Sequence, residues 1–241
     1  MKLLIVNPNT SESMTEDIRS TILMVKNPEM EIEVINSDFG AESLESFYDY
    51  TIASFGMIRC LKKHAKDYDG ILIACFGDPG LYAIKEIYDC PVVGIAEASI
   101  SIANLLGAKF SILAASEKAG PMMDYLVAGY GMQDRSAGAI AINMSVLDVE
   151  RNKEEAIGKL VDAGRIAKER GAEVFILGCA GMTGVSETVE KKLGIRVLDP
   201  VLIGYSVLEM MVNKNISIGK SGLFSTPVPK TFLKENLLLD D

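Results

Sequence analysis

Two short glycine-rich turns hold the side chains of this chain best suited to chemistry. Cys75-Phe76-Gly77-Asp78-Pro79-Gly80 follows the apolar run Gly70–Ala74, and Cys179-Ala180-Gly181-Met182-Thr183-Gly184 follows Glu173–Leu177. Both read strand, then Cys-x-Gly-x-x-Gly, then helix. Unpaired N–H groups and the dipole at a helix start favour negative charge. A thiol there is expected to have a lowered pKa and to serve as a base. One such thiol suggests a nucleophile. Two at equivalent places suggest proton traffic between the faces of one carbon, one thiolate removing a proton while the other thiol returns one from the opposite side. That chemistry needs a carbon acid delocalised into a carbonyl and donors aimed at the growing oxyanion. The backbone amides of Phe76, Gly77, Ala180 and Gly181 are candidates, since glycine lets backbone approach a substrate closely. The competing reading is that both are ordinary buried thiols, cysteine being among the most buried residue types.

Other groups offer less. Cys90 precedes Pro91 at a strand entry and reads as packing. Cys60 and His64, spaced to share a helix face, could form a metal or Cys–His pair. The segment Leu61–Lys66 around them reads as a solvated face with no third ligand, so no metal is expected. His64 is the sole histidine, so neither Cys75 nor Cys179 has an evident imidazole base, which weakens a Cys–His hydrolase. Gly178, Gly181 and Gly184 with Asp199 imitate a dinucleotide fingerprint that lacks its Gly-x-Gly opening. Gly219-Lys220-Ser221 imitates a phosphate loop, with Lys214 where glycine is required. Asp78 could tune Cys75 or cap the helix starting near Pro79.

The elements that must position the two cysteines form a repeat. Strands are expected at Leu3–Val6, Glu31–Ile35, Gly70–Ala74 and Val92–Ile95, with helices at Thr10–Val25, Leu44–Lys66 and Leu81–Tyr88. The second half restarts with strands at Lys109–Ala114, Ala137–Met144, Glu173–Leu177 and Arg196–Leu198. Its helices are expected at Ala119–Tyr130, Asn152–Arg170, Val185–Leu193 and Pro200–Val212. The cysteines lie 104 residues apart (75 and 179), and Lys2 and Lys109, which open the two halves, lie 107 apart. Continuous apolar runs separated by helices indicate parallel strands covered on both faces. The expected fold is therefore α/β, with two pseudo-symmetric Rossmann-like (flavodoxin-like) halves, residues 1–104 and 105–211. Each half is a parallel sheet with helices on both faces. The tail, 212–241, is expected to pack back onto the first half. Open parallel sheets bind ligands at the carboxyl ends of their strands, which would put both cysteines at the mouth of one cleft between the halves.

Composition narrows the partner. The 241 residues carry 24 basic and 33 acidic groups, a net charge of −9, with 49% hydrophobic residues. Such a chain can bury a large core and is not disordered. Net acidity argues against binding nucleic acid, which requires a basic face, and against anionic lipid. Four scattered cysteines with no CxxC pair exclude a disulfide scaffold and support no zinc knuckle. The opening Met1–Val6 reads as a strand rather than a signal peptide, and no run approaches a membrane span. A cytoplasmic protein with a small-molecule substrate is expected.

At these residues the chain resembles the aspartate/glutamate racemase superfamily, and within it the hydantoin racemase group, which includes allantoin racemases. The resemblance spans nearly the whole chain: LLIVNPNTSESMT at the start, FGAESLES at Phe39–Ser46, ACFGDPGL at Ala74–Leu81 and LGCAGM at Leu177–Met182. It implies a cofactor-independent racemase of 5-substituted hydantoins, allantoin or a related cyclic ureide, with Cys75 and Cys179 as the two acid/base groups. It implies that Asn9, Phe76, Gly77, Ser116, Ala180 and Gly181 line the substrate site, that Pro200 is a wall of the pocket, and that the protein is a homo-oligomer. Family members commonly carry threonines where this chain has Ala114-Ala115-Ser116, and Gly-Pro where it has Gly40-Ala41. Alternatives are another reaction of the same superfamily (amino-acid racemase, maleate-type isomerase, malonate decarboxylase) or a non-catalytic module that binds a small metabolite.

Overall fold

The computed structural model describes residues 1–64 and 67–230. The chain runs β1 (Lys2–Asn7), α1 (Glu12–Leu23), β2 (Glu31–Asn36), α2 (Phe47–His64), β3 (Gly70–Ile73), α3 (Leu81–Ile87), β4 (Val92–Gly94) and α4 (Ile95–Leu106). It then repeats as β5 (Phe110–Ala114), α5 (Ala119–Gly129), β6 (Ser136–Ala141), α6 (Val146–Arg151), α7 (Lys153–Glu169), β7 (Val174–Leu177), α8 (Ser186–Leu193), β8 (Arg196–Leu198) and α9 (Pro200–Asn213). Every strand pair is parallel. The order β2-β1-β3-β4 in one sheet recurs as β6-β5-β7-β8 in the other. The α/β architecture of two pseudo-symmetric halves is thus present in the strand order itself.

Alternate residues of β1 serve two cores. Leu4 and Val6 join Ile71 and Ile73 against Met57 and Leu61 of α2 and Leu81 and Ile84 of α3. Leu3, Ile5 and Leu72 face the other way, into a core that continues through α1, α4 and α9 to the second sheet. A strand buried on both faces has no polar side, so its sequence shows an apolar run instead of alternation. Helix ends carry local signals. Ser11 accepts from the Met14 amide at the start of α1, and Asp199 accepts from those of Val201 and Leu202 at the start of α9, with Pro200 in its first turn.

Three features depart from the expected elements. Helix α4 replaces the expected end of β4 at Ile95. Its buried residues (Ile95, Ala96, Ala98, Ile100 and Ala103) run on from the apolar β4 segment without a turn signal, while Glu97, Ser101 and Asn104 mark its less buried face. The expected helix Asn152–Arg170 is preceded by a separate short helix, α6, capped by Ser145. Helix α9 packs against α4, α1 and β3, so the chain returns to the first half at Pro200 and not after residue 212. Farther on, Lys220 Nζ donates to the carbonyls of Lys85, Glu86 and Tyr88 at the end of α3 (3.0, 2.7 and 3.2 Å). The expected helical position Lys66 and the tail beyond residue 230 lie outside the described residues. Among the described residues no helix is long and apolar enough to cross a membrane.

Candidate active site

In each sheet the chain leaves the central pair of strands in opposite directions. β1 is flanked by β2 and β3, and β5 by β6 and β7. The carboxyl ends of β1, β3, β5 and β7 therefore mark the two topological switch points, where such sheets leave a crevice. Cys75 and Cys179 stand just past β3 and β7. The amide before each, that of Ala74 or Gly178, still bonds to the neighbouring strand (2.8 Å to the carbonyls of Val6 and Leu113). Both cysteines line one cavity of about 40 Å³.

Of the residues expected around them, Asn9, Phe76, Ser116 and Ala180 line this cavity. Gly77, Gly181 and Pro200 do not. Gly77 lies under the Tyr50 ring and borders a neighbouring pocket of about 520 Å³. Gly181 turns its amide toward Cys179. Pro200 is buried at the start of α9, where its fixed φ opens a helix. Tyr50, Met122 and Met123 line both the small cavity and the large pocket and so divide them. Sequence reasoning missed these three, and also Leu44, Glu45 and Val146. Leu44 and Glu45 fall in the FGAESLES segment, which marks the loop without saying which side chains turn inward. Met122 and Met123 carry no signal distinguishing them from core.

The expected lowering of the thiol pKa values is overturned. Burial pushes Cys75 up to about 12, with Cys179 and Asp78 nearby pushing the same way and the Gly77 amide pulling down. Burial likewise pushes Cys179 up to about 11, opposed by the Gly181 amide and reinforced by Glu45 and Glu150. Desolvation wins because α3 and α8 begin only at Leu81 and Ser186, several residues beyond the sulfurs. Cys179 starts no more than a single 3-10 turn, Ala180–Met182. The glycine amides have a different partner from the one expected. Gly181 donates to Cys179 Sγ (3.3 Å), and the Gly77 amide beside Cys75 pulls that thiol's pKa down, so each amide serves its own loop's sulfur. The amides of Phe76 and Ala180 donate to no group among the described residues. The Asn9 side-chain oxygen is already occupied by Asn7 Nδ2 (2.7 Å) and the Ser11 amide (2.9 Å). Its Nδ2 has only the weak acceptor Met14 Sδ (3.2 Å) and remains a donor for the cavity.

A buried aspartate anchors each cysteine-bearing loop, by swapped connections. Asp78 belongs to the first loop and reaches the start of α4, accepting from Ala96 (3.1 Å) and Glu97 (2.7 Å). It thus caps α4, not the helix near Pro79, whose cap position is Gly80 and lacks a side-chain bond. Asp199 belongs to α9 and reaches the second loop, accepting from Thr183 Oγ1 (2.9 Å) and the Gly184 amide (2.8 Å). Asp78 also holds a left-handed φ of 44° and accepts from the Tyr130 hydroxyl of the second half (2.6 Å). Burial pushes its carboxyl up to about 7 despite these donors. Further ties cross between the halves: the Val146 amide to Glu45 Oε1 (3.3 Å), Lys153 to Asp17 (2.6 Å), and the rings of Phe47 and Tyr125 (centroids 5.7 Å apart). Cys60 and His64 share no site. Cys60 is buried with its sulfur toward the Asn36 carbonyl (3.8 Å), and His64 is exposed.

Residues 3–208 match the family model described as Asp/Glu/Hydantoin racemase. The chain belongs to this family. A hydantoin racemase from Pseudomonas sp. (strain NS671) is 37% identical to it over 235 residues, covering 97% of this chain and 94% of the relative. Among solved structures, an allantoin racemase from Klebsiella pneumoniae has a TM-score of 0.93 at 31% identity, covering 100% of this chain and 99% of that one. A glutamate racemase from Bacillus anthracis shares the family fold alone, with a TM-score of 0.67 at 16% identity over 89% of this chain and 82% of its own.

Proposed function

We propose that this member of the Asp/Glu/Hydantoin racemase family is a cofactor-independent racemase of 5-substituted hydantoins or a related cyclic ureide such as allantoin. The observation that carries the reading is the pair of thiols on one cavity, each met by a glycine amide from its own loop. The C5 hydrogen of a hydantoin lies between a carbonyl and a nitrogen, and its removal gives an enolate. One sulfur, as thiolate, takes that proton from one face. The opposite S–H then protonates the carbon from the other face, and the two sulfurs finish with exchanged protonation states, ready for the reverse reaction. The amides of Gly77 and Gly181 stabilise whichever sulfur is ionised. Those of Phe76 and Ala180, with Asn9 Nδ2, are donors for the developing oxyanion and the ring carbonyls.

The character of the lining separates this reading from other reactions on the same scaffold. Glu45 is the sole charged side chain among the described residues around the cavity, and there is no cation. An amino acid, a maleate or a malonate brings carboxylates that such a lining leaves uncompensated, whereas a cyclic ureide is neutral. A cavity of about 40 Å³ holds no more than a few waters. Tyr50 or the adaptable Met122 and Met123 must therefore give way as the ring enters, and the ring substituent then has the larger pocket beyond them.

The test is single replacement of Cys75 and Cys179 by serine, followed by optical rotation of one enantiomer of a hydantoin or of allantoin. Both variants should lose racemisation, while the unaltered protein should incorporate deuterium at C5 from heavy water during turnover. Full racemisation by either variant contradicts a two-thiol mechanism.

A further inference from the structure

Building on the ureide reading, we propose that Glu45 is a specificity-determining residue whose carboxylate accepts a hydrogen bond from a ring N–H of the bound ligand. It would thereby select neutral, N–H-bearing rings over N-alkylated or anionic ones. Glu45 lies in the loop between β2 and α2, with its backbone amide held by Asp49 Oδ2 (2.9 Å). Its Oε1 accepts from Ser43 Oγ and, across the halves, from the Val146 amide, each at 3.3 Å. Its Oε2 has no partner among the described residues. Glu45 and Ser116 also line an open pocket outside the thiol cavity, together with Glu117, Lys118 and Pro121, so the carboxylate borders both spaces.

An ionised carboxylate is an acceptor only and calls for a donor. No side chain of the lining donates to Oε2, which is partly exposed and open to a ligand, and the carboxylate stands near a thiol whose ionisation it opposes. A ligand N–H resolves both problems. It satisfies Oε2, and by drawing on the carboxylate's charge it eases formation of the Cys179 thiolate while the ring is in place. The donors Asn9 Nδ2, Phe76 N–H and Ala180 N–H, with the acceptor Glu45, form a set that matches the adjoining carbonyls and N–H groups on the edge of a cyclic ureide. A carboxylate ligand would meet like charge at the same place.

The experiment measures protection of Cys179 from iodoacetamide, located by peptide mass spectrometry, in the full chain and in Glu45→Gln. The probes are 5-methylhydantoin, its N1-methyl and N3-methyl derivatives, and 5-carboxymethylhydantoin. Glutamine keeps the size of the side chain and one neutral acceptor, so the fold is retained and the assay needs no turnover. The unaltered chain should be protected about tenfold better by 5-methylhydantoin than by one of its N-methyl derivatives, the difference expected of one charge-assisted bond. Glu45→Gln should erase most of that preference and should bind the 5-carboxymethyl compound more tightly. Equal protection by all three 5-methyl rings in the unaltered chain, or an undiminished preference in Glu45→Gln, overturns the role given to Glu45. An N–H preference that depends on Glu45, found without any C5 deuterium exchange, supports this role and overturns the racemase reading instead. Absence of protection by every probe overturns both.

Discussion

A single methyl group at Gly77 tests whether Tyr50 shapes the thiol cavity. An ideal Cβ at this position would lie 2.3 Å from Tyr50 Cε2 and Cζ and 2.6 Å from its Oη. Carbon atoms rest about 3.5–4.0 Å apart, so the ring must retreat by more than about 1 Å. The φ of Gly77 is not left-handed, so alanine adds crowding and no backbone strain. The retreat is hindered on one side by Phe47, whose ring lies 6.2 Å from that of Tyr50 and itself abuts Tyr125 of the second half. The open directions are the two spaces that Tyr50 divides. Overpacking of this kind costs about 1–3 kcal/mol. At roughly 2–4 °C per kcal/mol for a chain of this size, Gly77→Ala should lower Tm by about 2–12 °C. Racemisation should fall at least about tenfold, because a 1 Å displacement beside reacting groups has a large kinetic effect. The control is Gly77→Ala in a Tyr50→Ala background, where the methyl should cost less than about 0.5 kcal/mol. Calorimetry and polarimetry on the four proteins complete the cycle. An equal cost in both backgrounds, or a Gly77→Ala protein with unchanged Tm and full activity, refutes the role assigned to Tyr50.

Two further expectations come from the buried titrating groups. With Cys75 pushed up to about 12 and Cys179 to about 11, both are thiols near neutrality, so alkylation of each in the ligand-free protein should rise about tenfold per pH unit from pH 7 to 10. A plateau near neutrality would show that the helix-start effect had prevailed after all. Asp78 has a folded-state pKa raised from 3.8 to about 7, so the native state holds its proton longer than the unfolded chain does. Its stabilising contribution is full below about pH 4 and is lost as pH rises through about 7. Urea midpoints of the unaltered chain minus those of Asp78→Asn should therefore decline across that window, and a flat difference contradicts the assignment.

What could be read without coordinates was what repeats. The two Cys-x-Gly-x-x-Gly turns follow strands that are apolar on both faces, and a run of that kind is visible in sequence because both sides need the same chemistry. That the strand order of one sheet recurs in the other follows from the duplication, whereas the order itself is seen only in the structure. Helix α4 follows the β4 run without a break and so hides its start, although its less buried face, with Glu97, Ser101 and Asn104, carries a helical spacing. Local position argues for anion stabilisation at both thiols, whereas the direction of their pKa shifts is set by desolvation, a property of the assembled halves. Glu45 and Tyr50 reach the cavity from a loop and from a helix of the first half, and no local pattern tells which way a loop carboxylate turns. The role of Asp78 was equally hidden, since its target, the start of α4, lies at residues 96 and 97. That contact fits only because position 94 is glycine, where a Cβ would stand 2.3 Å from Asp78 Cγ.

The swapped anchoring has a kinetic consequence for a two-thiol racemase. The loop of Cys75 is tied through Asp78 to both halves, because Tyr130 comes from the second. The loop of Cys179 is tied through Asp199 to the start of α9. Asp199 heads α9, which packs on the first half, so the loop of Cys179 is tied across the cleft as well, and opening the cleft disturbs both anchors. Enantiomers have equal free energies in water, so kcat/KM must be the same in both directions whatever the protein does. Loosening of the cleft is therefore left free to act only on how that ratio divides between kcat and KM. Tyr130→Phe, which removes one of these ties, should change kcat and KM for both enantiomers while polarimetry started from either one finds the same kcat/KM, and unchanged parameters for both would show that the tie does not bear on turnover.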